Sequence, residues 1–336
     1  LGNSASSPLT APEMANLWSG FQGDTLARCV FTHFVATAED KEIKELLSYA
    51  LELCNKHITR LQFFFEKEGF PVPVGFSDED VNTQAPRLYS DSFYLGYLLN
   101  FAKQGMALYA YALPVISRLD LREYVSECLA SATELLNRSI TLMETKGIYI
   151  RPPQIPMPEA QEFVHKESYF FTLFGDKRPV NGSEIGHLYA NLLTNLNGKA
   201  LIQGFAQVSP TPEIRDWFLR GRDIANKHIE VFSSLLRDDN LPAPNLWGDA
   251  VTASTTAPFS ERLMMYHIGG VNAIGVMNYG AAVSYSPRSD IMAAYERLIA
   301  EVGKYGKDGL DIMLQRHWLE KIPGAVDRDA LAVTKK

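Results

Sequence analysis

The sequence predicts an all-α protein built from two four-helix bundles in tandem. Three observations carry this: an ordered internal repeat, four long apolar-periodic stretches in each copy, and a short, long, short pattern of connections between them. The repeat comes first. Asn55-Lys56-His57-Ile58 returns as Asn226-Lys227-His228-Ile229, an offset of 228 − 57 = 171, and Glu42-Ile43 returns as Glu213-Ile214. Phe70-Pro71-Val72-Pro73 is matched by Leu241-Pro242-Ala243-Pro244. Ala85-Pro86 is matched with Ala257-Pro258, Ser90-Asp91 with Ser260-Glu261, and Arg118 and Asp120 with Arg288 and Asp290. One short match could be chance; an ordered series across both halves is a duplication.

The first half divides into helices expected at Ala11–Ala38, Asp40–Gly69, Ser90–Ser117 and Leu119–Gly147. Thr10 with Glu13 forms a capping box with Pro12 just inside it, and Gly69 and Gly147 are natural C-terminal stops. The second half repeats the pattern at Gly182–Ser209, Thr211–Asp238, Ser260–Ser286 and Ser289–Trp318, with Asn181 and Glu184 as the copied capping box. Within each half a long Pro-containing loop joins the second and third helices, residues 70–89 and 241–259, while the other connections are a few residues. One long crossover among short links is the topology of ferritin-like bundles. The expected domains are 9–150 and 181–323, with 151–180 a linker carrying a short packed helix that presents Phe163, Phe170, Phe171 and Phe174.

Bulk properties narrow the function. A length of 336 residues, 46% hydrophobic and 21% charged, suits two globular domains. Thirty-two basic against 39 acidic residues give a net charge of −7 with no long basic run, which argues against a nucleic-acid partner. Cys29, Cys54 and Cys128 form no CxxC pair, as expected of a reduced, cytoplasmic protein. No secretory leader is read at residues 1–8. Leu263–Tyr285 lacks Asp, Glu, Lys and Arg, but its His267, Asn272 and Asn278 suit a buried bundle helix better than a membrane span, so no membrane insertion is expected.

Chemistry concentrates on the helix seams. Ile43, Leu47, Ala50, Cys54, His57, Leu61 and Phe64 alternate by four and three, and the copy runs Ile214, Phe218, Gly221, Ala225, His228, Phe232 and Leu235. Each half therefore carries one interior histidine that needs a partner: a metal, a carboxylate or a plain hydrogen bond. Asp24 on the first helix is four residues from Arg28, so an Asp24–Arg28 pair is the plainer reading and Asp24 as a metal ligand the sharper one. Glu184 and His187 have the Glu-x-x-His spacing, but Glu184 serves the cap; Glu162 and His165 repeat the spacing in the linker. His267 lies where the first half has Tyr97. On the fourth helices Glu127, Glu134, Glu301 and Asp308 read chiefly as solvated faces. Residue i−3 to the seam histidines is Cys54 or Ala225, not glutamate, which departs from the di-iron pattern.

Leu9-Thr10-Ala11-Pro12-Glu13, Leu17-Trp18, the two Asn-Lys-His-Ile helices, Phe70–Pro73, Ala85–Asp91, Glu127–Leu135 and Arg151–Pro153 together resemble the domain-of-unknown-function family numbered 3231. The resemblance spans nearly the whole chain. It implies tandem ferritin-like copies from a spore-forming bacterium, with a loose kinship to spore coat proteins, and no established catalytic residues. Three functions stay open, one of them a small-ligand pocket inside a bundle, since Gly-rich helices and mixed polar residues can leave a cavity. Another is a non-catalytic structural, binding or stress-related role, cytoplasmic or spore-associated, with self-association open. The third is an iron- or manganese-binding protein or oxidoreductase using His57, Asp24, His228, His187 and His267.

Overall fold

The computed structural model describes residues 7–171, 177–244 and 250–333. The chain is all-helical in two tandem regions, and the described residues contain no β-strand. The first region holds α1 (Ala11–Thr37), α2 (Lys41–Glu68), α3 (Asp91–Ala112) and α4 (Leu119–Thr145). The second holds α5 (Gly182–Val208), α6 (Pro212–Arg237), α7 (Glu261–Tyr285) and α8 (Ser289–Gln315). A short α9 (Arg328–Val333), not foreseen, follows. Within each region the first helix packs on the second and the third on the fourth. α3 ends sooner than its apolar pattern suggests because Pro114 supplies no N–H donor, and the chain tightens into a 3-10 turn over Leu113–Val115.

The capping boxes expected at Thr10 and Asn181 are formed, and their glutamates do more than cap. Glu13 Oε1 also accepts from the Ser117 and Arg118 backbone N–H groups, so one carboxylate ties the start of α1 to the start of α4. Burial works to raise the Glu13 pKa, but backbone donors from Thr10 and Arg118 outweigh it and bring the value down to about 2. Glu184 repeats this by accepting from the Arg288 N–H, and adds an ion pair with Arg178. α4 and α8 have no side-chain N-cap. Instead the buried guanidinium of Arg118 or Arg288 forks onto the carboxylate two residues ahead, Asp120 or Asp290.

The two regions share one apolar core. Phe31, Phe34 and Leu98 from the first join Phe205, Phe218 and Met264 from the second, while a smaller cluster closes the outer end of each. Across this junction the crossover loops pair with each other, and the pairing obeys a pseudo-two-fold axis. Val81 bridges Phe259 and Tyr89 bridges Val251, each bridge exchanging repeat-equivalent residues. The Asn82 N–H donates to Pro258 O at 2.8 Å, and the equivalent Thr252 N–H donates to Leu88 O at 2.9 Å. Ser90 N–H to Ala250 O is mirrored by Ser260 N–H to Asp80 O. This register makes Pro258 the counterpart of Leu88, so the sequence match of Ala85-Pro86 with Ala257-Pro258 is two residues out.

The symmetry is broken where size demands it. His33 packs edge-on to Phe259 at 5.5 Å between ring centres. In the mirrored place the larger Tyr89 lies against Gly204, where an added Cβ would collide with its hydroxyl and ring, and Tyr89 donates to Leu201 O. The linker differs from expectation. Its described part has a single 3-10 turn, Glu167–Tyr169, and Phe163 and Phe171 are 84% and 70% exposed, so no packed amphipathic helix forms there. Phe174 lies outside the described residues. The 167–170 turn is anchored by the Ser289 N–H donating to Phe170 O and by the Arg178 guanidinium over the Tyr169 ring.

Candidate functional site

Each half carries its seam histidine into a polar group at the middle of the four helices. In the first half, α1 supplies Asp24 and α2 supplies His57, with Oδ1 and Nδ1 3.1 Å apart and both side chains nearly buried. This corrects the expected Asp24–Arg28 pair. Arg28 turns outward to the crossover loop, where it donates to Phe76 O and lies 3.5 Å from Asp78. An exposed i, i+4 ion pair is worth about 0.3–0.5 kcal/mol, less than leaving a buried imidazole unpartnered would cost.

Tyr109 of α3 and Tyr124 of α4 stand edge-on to the His57 ring at 6.2 and 6.1 Å. The Cys128 sulfur is a side-chain partner of His57 and of both tyrosines. Burial works to lower the His57 pKa, but the Asp24 carboxylate outweighs it and carries the value up to about 10. At neutral pH the first centre is therefore an imidazolium–carboxylate pair in an aromatic box.

The second half uses the same parts differently. Asn195 replaces Asp24, Tyr279 matches Tyr109, and the carboxylate comes from Glu301 on α8, a position filled by Ser131 in the first half. Asn195 Nδ2 donates to the Tyr279 hydroxyl at 2.7 Å. That hydroxyl is 2.9 Å from His228 Nδ1, and His228 Nε2 is 3.1 Å from Glu301 Oε2. Donors and acceptors balance for a neutral imidazole. The Tyr279 O–H donates to Nδ1, and Nε2–H donates to Glu301. Burial lowers the His228 pKa and Glu301 only partly opposes it, which agrees with that wiring. Glu301 is also held by Lys227 at 2.8 Å.

The other candidate ligands are not brought to these centres. His187 stacks on Tyr285 at 5.1 Å, and burial lowers its pKa. His267 lies 3.0 Å from the hydroxyl of Tyr97, its own repeat counterpart, at the junction between halves, and burial lowers its pKa to about 4. Among the described residues no group of three or more His, Cys, Asp and Glu side chains comes together to hold a metal ion. A di-iron centre of the ferritin-like kind needs four carboxylates and two histidines; each half offers one of each, so the residues present do not fit it.

Tyr124 and Tyr279 were not singled out from the sequence, and Glu301 was read as a solvated face. The available signal was the repeat itself: 279 − 109 = 170 is the offset that relates Arg118 to Arg288, so aligned tyrosines on α3 and α7 were legible.

No curated protein matches this chain significantly. A solved "putative spore coat protein" from Bacillus halodurans C-125 matches with a TM-score of 0.42 and 17% identity, covering 46% of this chain and 100% of the other. No described helix is long and apolar enough to cross a membrane. The family model described as "Protein of unknown function (DUF3231)" matches residues 2–160 and again 169–331, so the chain belongs to that family and carries it twice in tandem.

Proposed function

We propose that the protein is a non-catalytic scaffold or binding protein, formed of two ferritin-like four-helix bundles over 9–150 and 181–323, in which a polar clamp stands where metal-using relatives of the fold keep their metal. The observation that carries this reading is the Asn195–Tyr279–His228–Glu301 chain. It crosses α5, α7, α6 and α8 in order and commits both imidazole nitrogens of His228 to protein groups. A metal-ligating histidine keeps one nitrogen for its metal; this one has both engaged by protein groups and links helices. A cytoplasmic or spore-associated structural role is consistent with the family, and assembly with further copies belongs to the same reading.

The test is elemental analysis of protein purified without a metal-affinity tag, alongside His57→Ala and His228→Ala. The expected result is sub-stoichiometric metal and a loss of about 2–4 kcal/mol of stability in each variant, since each leaves buried polar partners unpaired. About one iron or manganese per half, lost with the histidines, would replace this reading with the metal-binding one.

A further inference from the structure

The richest unassigned feature lies away from both clamps, where α3 of the first half meets α5 and α7 of the second. A cleft of about 240 Å³ opens there, lined by Lys103 and Gln104 from α3, His187, Asn191 and Thr194 from α5, and Asn278 from α7. A narrower recess of about 40 Å³ shares Asn100, Gln104 and Thr194 with it and runs inward to Asn197 and His267. At the end of that recess Asn197 Oδ1 and His267 Nδ1 are buried without a hydrogen-bond partner. His267 itself is only 8% exposed. Unsatisfied buried polar atoms opening on a polar cavity mark a place where a solute or water completes the bonding.

We propose that this cleft binds a small organic anion, a hydroxyl-bearing carboxylate or phosphate ester, with Lys103 as its counter-charge. No carboxylate lines either part of the cleft. Lys103 makes no ion pair among the described residues, although acidic groups outnumber basic ones in the chain, 39 to 32. Lys103 is exposed to water, yet the protein around it lowers its pKa. An ammonium so placed gains from an incoming anion. The amides and the Thr194 hydroxyl supply neutral donors and acceptors of the kind that orient hydroxyl groups. The volume lies below the ~300–1,000 Å³ of drug-sized sites, which points to a ligand smaller than a nucleotide.

The duplication supplies an independent argument. The pseudo-two-fold axis generates a second surface from the same scaffold, and there the lysine and most of the amides are gone, although His187 is matched by Asn16 and Gln104 itself lies on both surfaces. Lys103 is matched by Ala273, Asn100 by Gly270, Gln104 by Ile274, Asn278 by Leu108, Asn191 by Gly20 and Thr194 by Gly23. The scaffold folds with small or apolar residues at every one of these positions. Packing therefore does not require the amides and the lysine on the other side, and their shared location is what a ligand accounts for.

The experiment is isothermal titration of the full chain with gluconate, glucose 6-phosphate, inorganic phosphate and neutral glucose. It is repeated on Lys103→Ala and Asn278→Leu, each the residue the duplicate already carries. Expected is saturable binding of gluconate or glucose 6-phosphate, at least about tenfold weaker in Lys103→Ala. Glucose should bind weakly and equally to wild type and Lys103→Ala, and Asn278→Leu should weaken the anion without altering the melting temperature. Binding of gluconate alone assigns the site to carboxylates; binding of glucose 6-phosphate together with inorganic phosphate assigns it to phosphates. If neither organic anion binds, or if Lys103→Ala binds them as well as wild type, the proposal fails.

Discussion

Replacing Asp24 by Asn gives the first half the residue that the second half has at Asn195, and its consequences follow from the two clamps. In the wild type the His57 pKa lies at about 10 against an ordinary 6.5, a difference of 10 − 6.5 = 3.5 units. At ~1.4 kcal/mol per unit this is about 5 kcal/mol as an upper figure, near the ~3–5 kcal/mol typical of breaking a buried pair. The folded value lies above the unfolded one, so the native state holds a proton that the unfolded chain has released. Stability from the pair is complete below about pH 6.5 and is lost as pH rises through about 10, at ~1.4 kcal/mol per pH unit in between. With Asn in place burial is opposed only by the Cys128 sulfur, and the His57 pKa should fall well below its wild-type value of about 10. The assay is an NMR titration of the His57 ring, paired with urea unfolding of wild type and Asp24→Asn at pH 7, 8 and 9. The stability difference between them should shrink as pH rises. A His57 that titrates near its ordinary value in the wild type, or a stability difference that is flat across that range, would refute the ion-pair assignment.

Two further outcomes are expected. Tyr305 packs flat on Trp217 at 4.5 Å, but its hydroxyl is buried without a hydrogen-bond partner, so Tyr305→Phe should raise stability by about 1 kcal/mol in urea unfolding. Gly204→Ala should lower the melting temperature despite alanine's better helix propensity, because the new Cβ meets Tyr89; overpacking of this kind costs about 1–3 kcal/mol, and adding Tyr89→Leu should recover part of it in a double-mutant cycle.

Much of the fold was legible because duplication made it so. Thr10 and Asn181 mark equivalent helix starts, and the seam pattern through His57 recurs through His228, so the long helices of both regions and their inward faces could be read from caps and periodicity. The clamps were half legible. Periodicity places a histidine inside but is silent on which of three neighbouring helices answers it. In one half the answer is Asp24 on α1, in the other Glu301 on α8. Glu301 sits at the edge of its helix's buried face, where its carboxylate reaches inward to His228 while Lys227 holds it from outside, and a binary inside-or-outside reading misplaces such a residue. The linker failed for a related reason: a run of phenylalanines has the composition of a packed helix, but Phe163 and Phe171 find no surface to cover. The junction between halves was not legible at all, since a pairing of two crossover loops depends on how the copies dock.

That docking has a consequence for how the protein can vary. Bridges Val81–Phe259 and Tyr89–Val251, with hydrogen bonds duplicated on either side, have the form of an isologous interface between two identical subunits. In a true homodimer every substitution at such an interface is made twice, and the partners dissociate on dilution. Here both copies lie on one polypeptide, so association is intramolecular and does not depend on protein concentration. Each copy can then change alone: His33 in one and Gly204 in the other, Tyr89 and Phe259, Lys103 and Ala273. Covalent joining turns a self-complementary surface into two that are free to specialise.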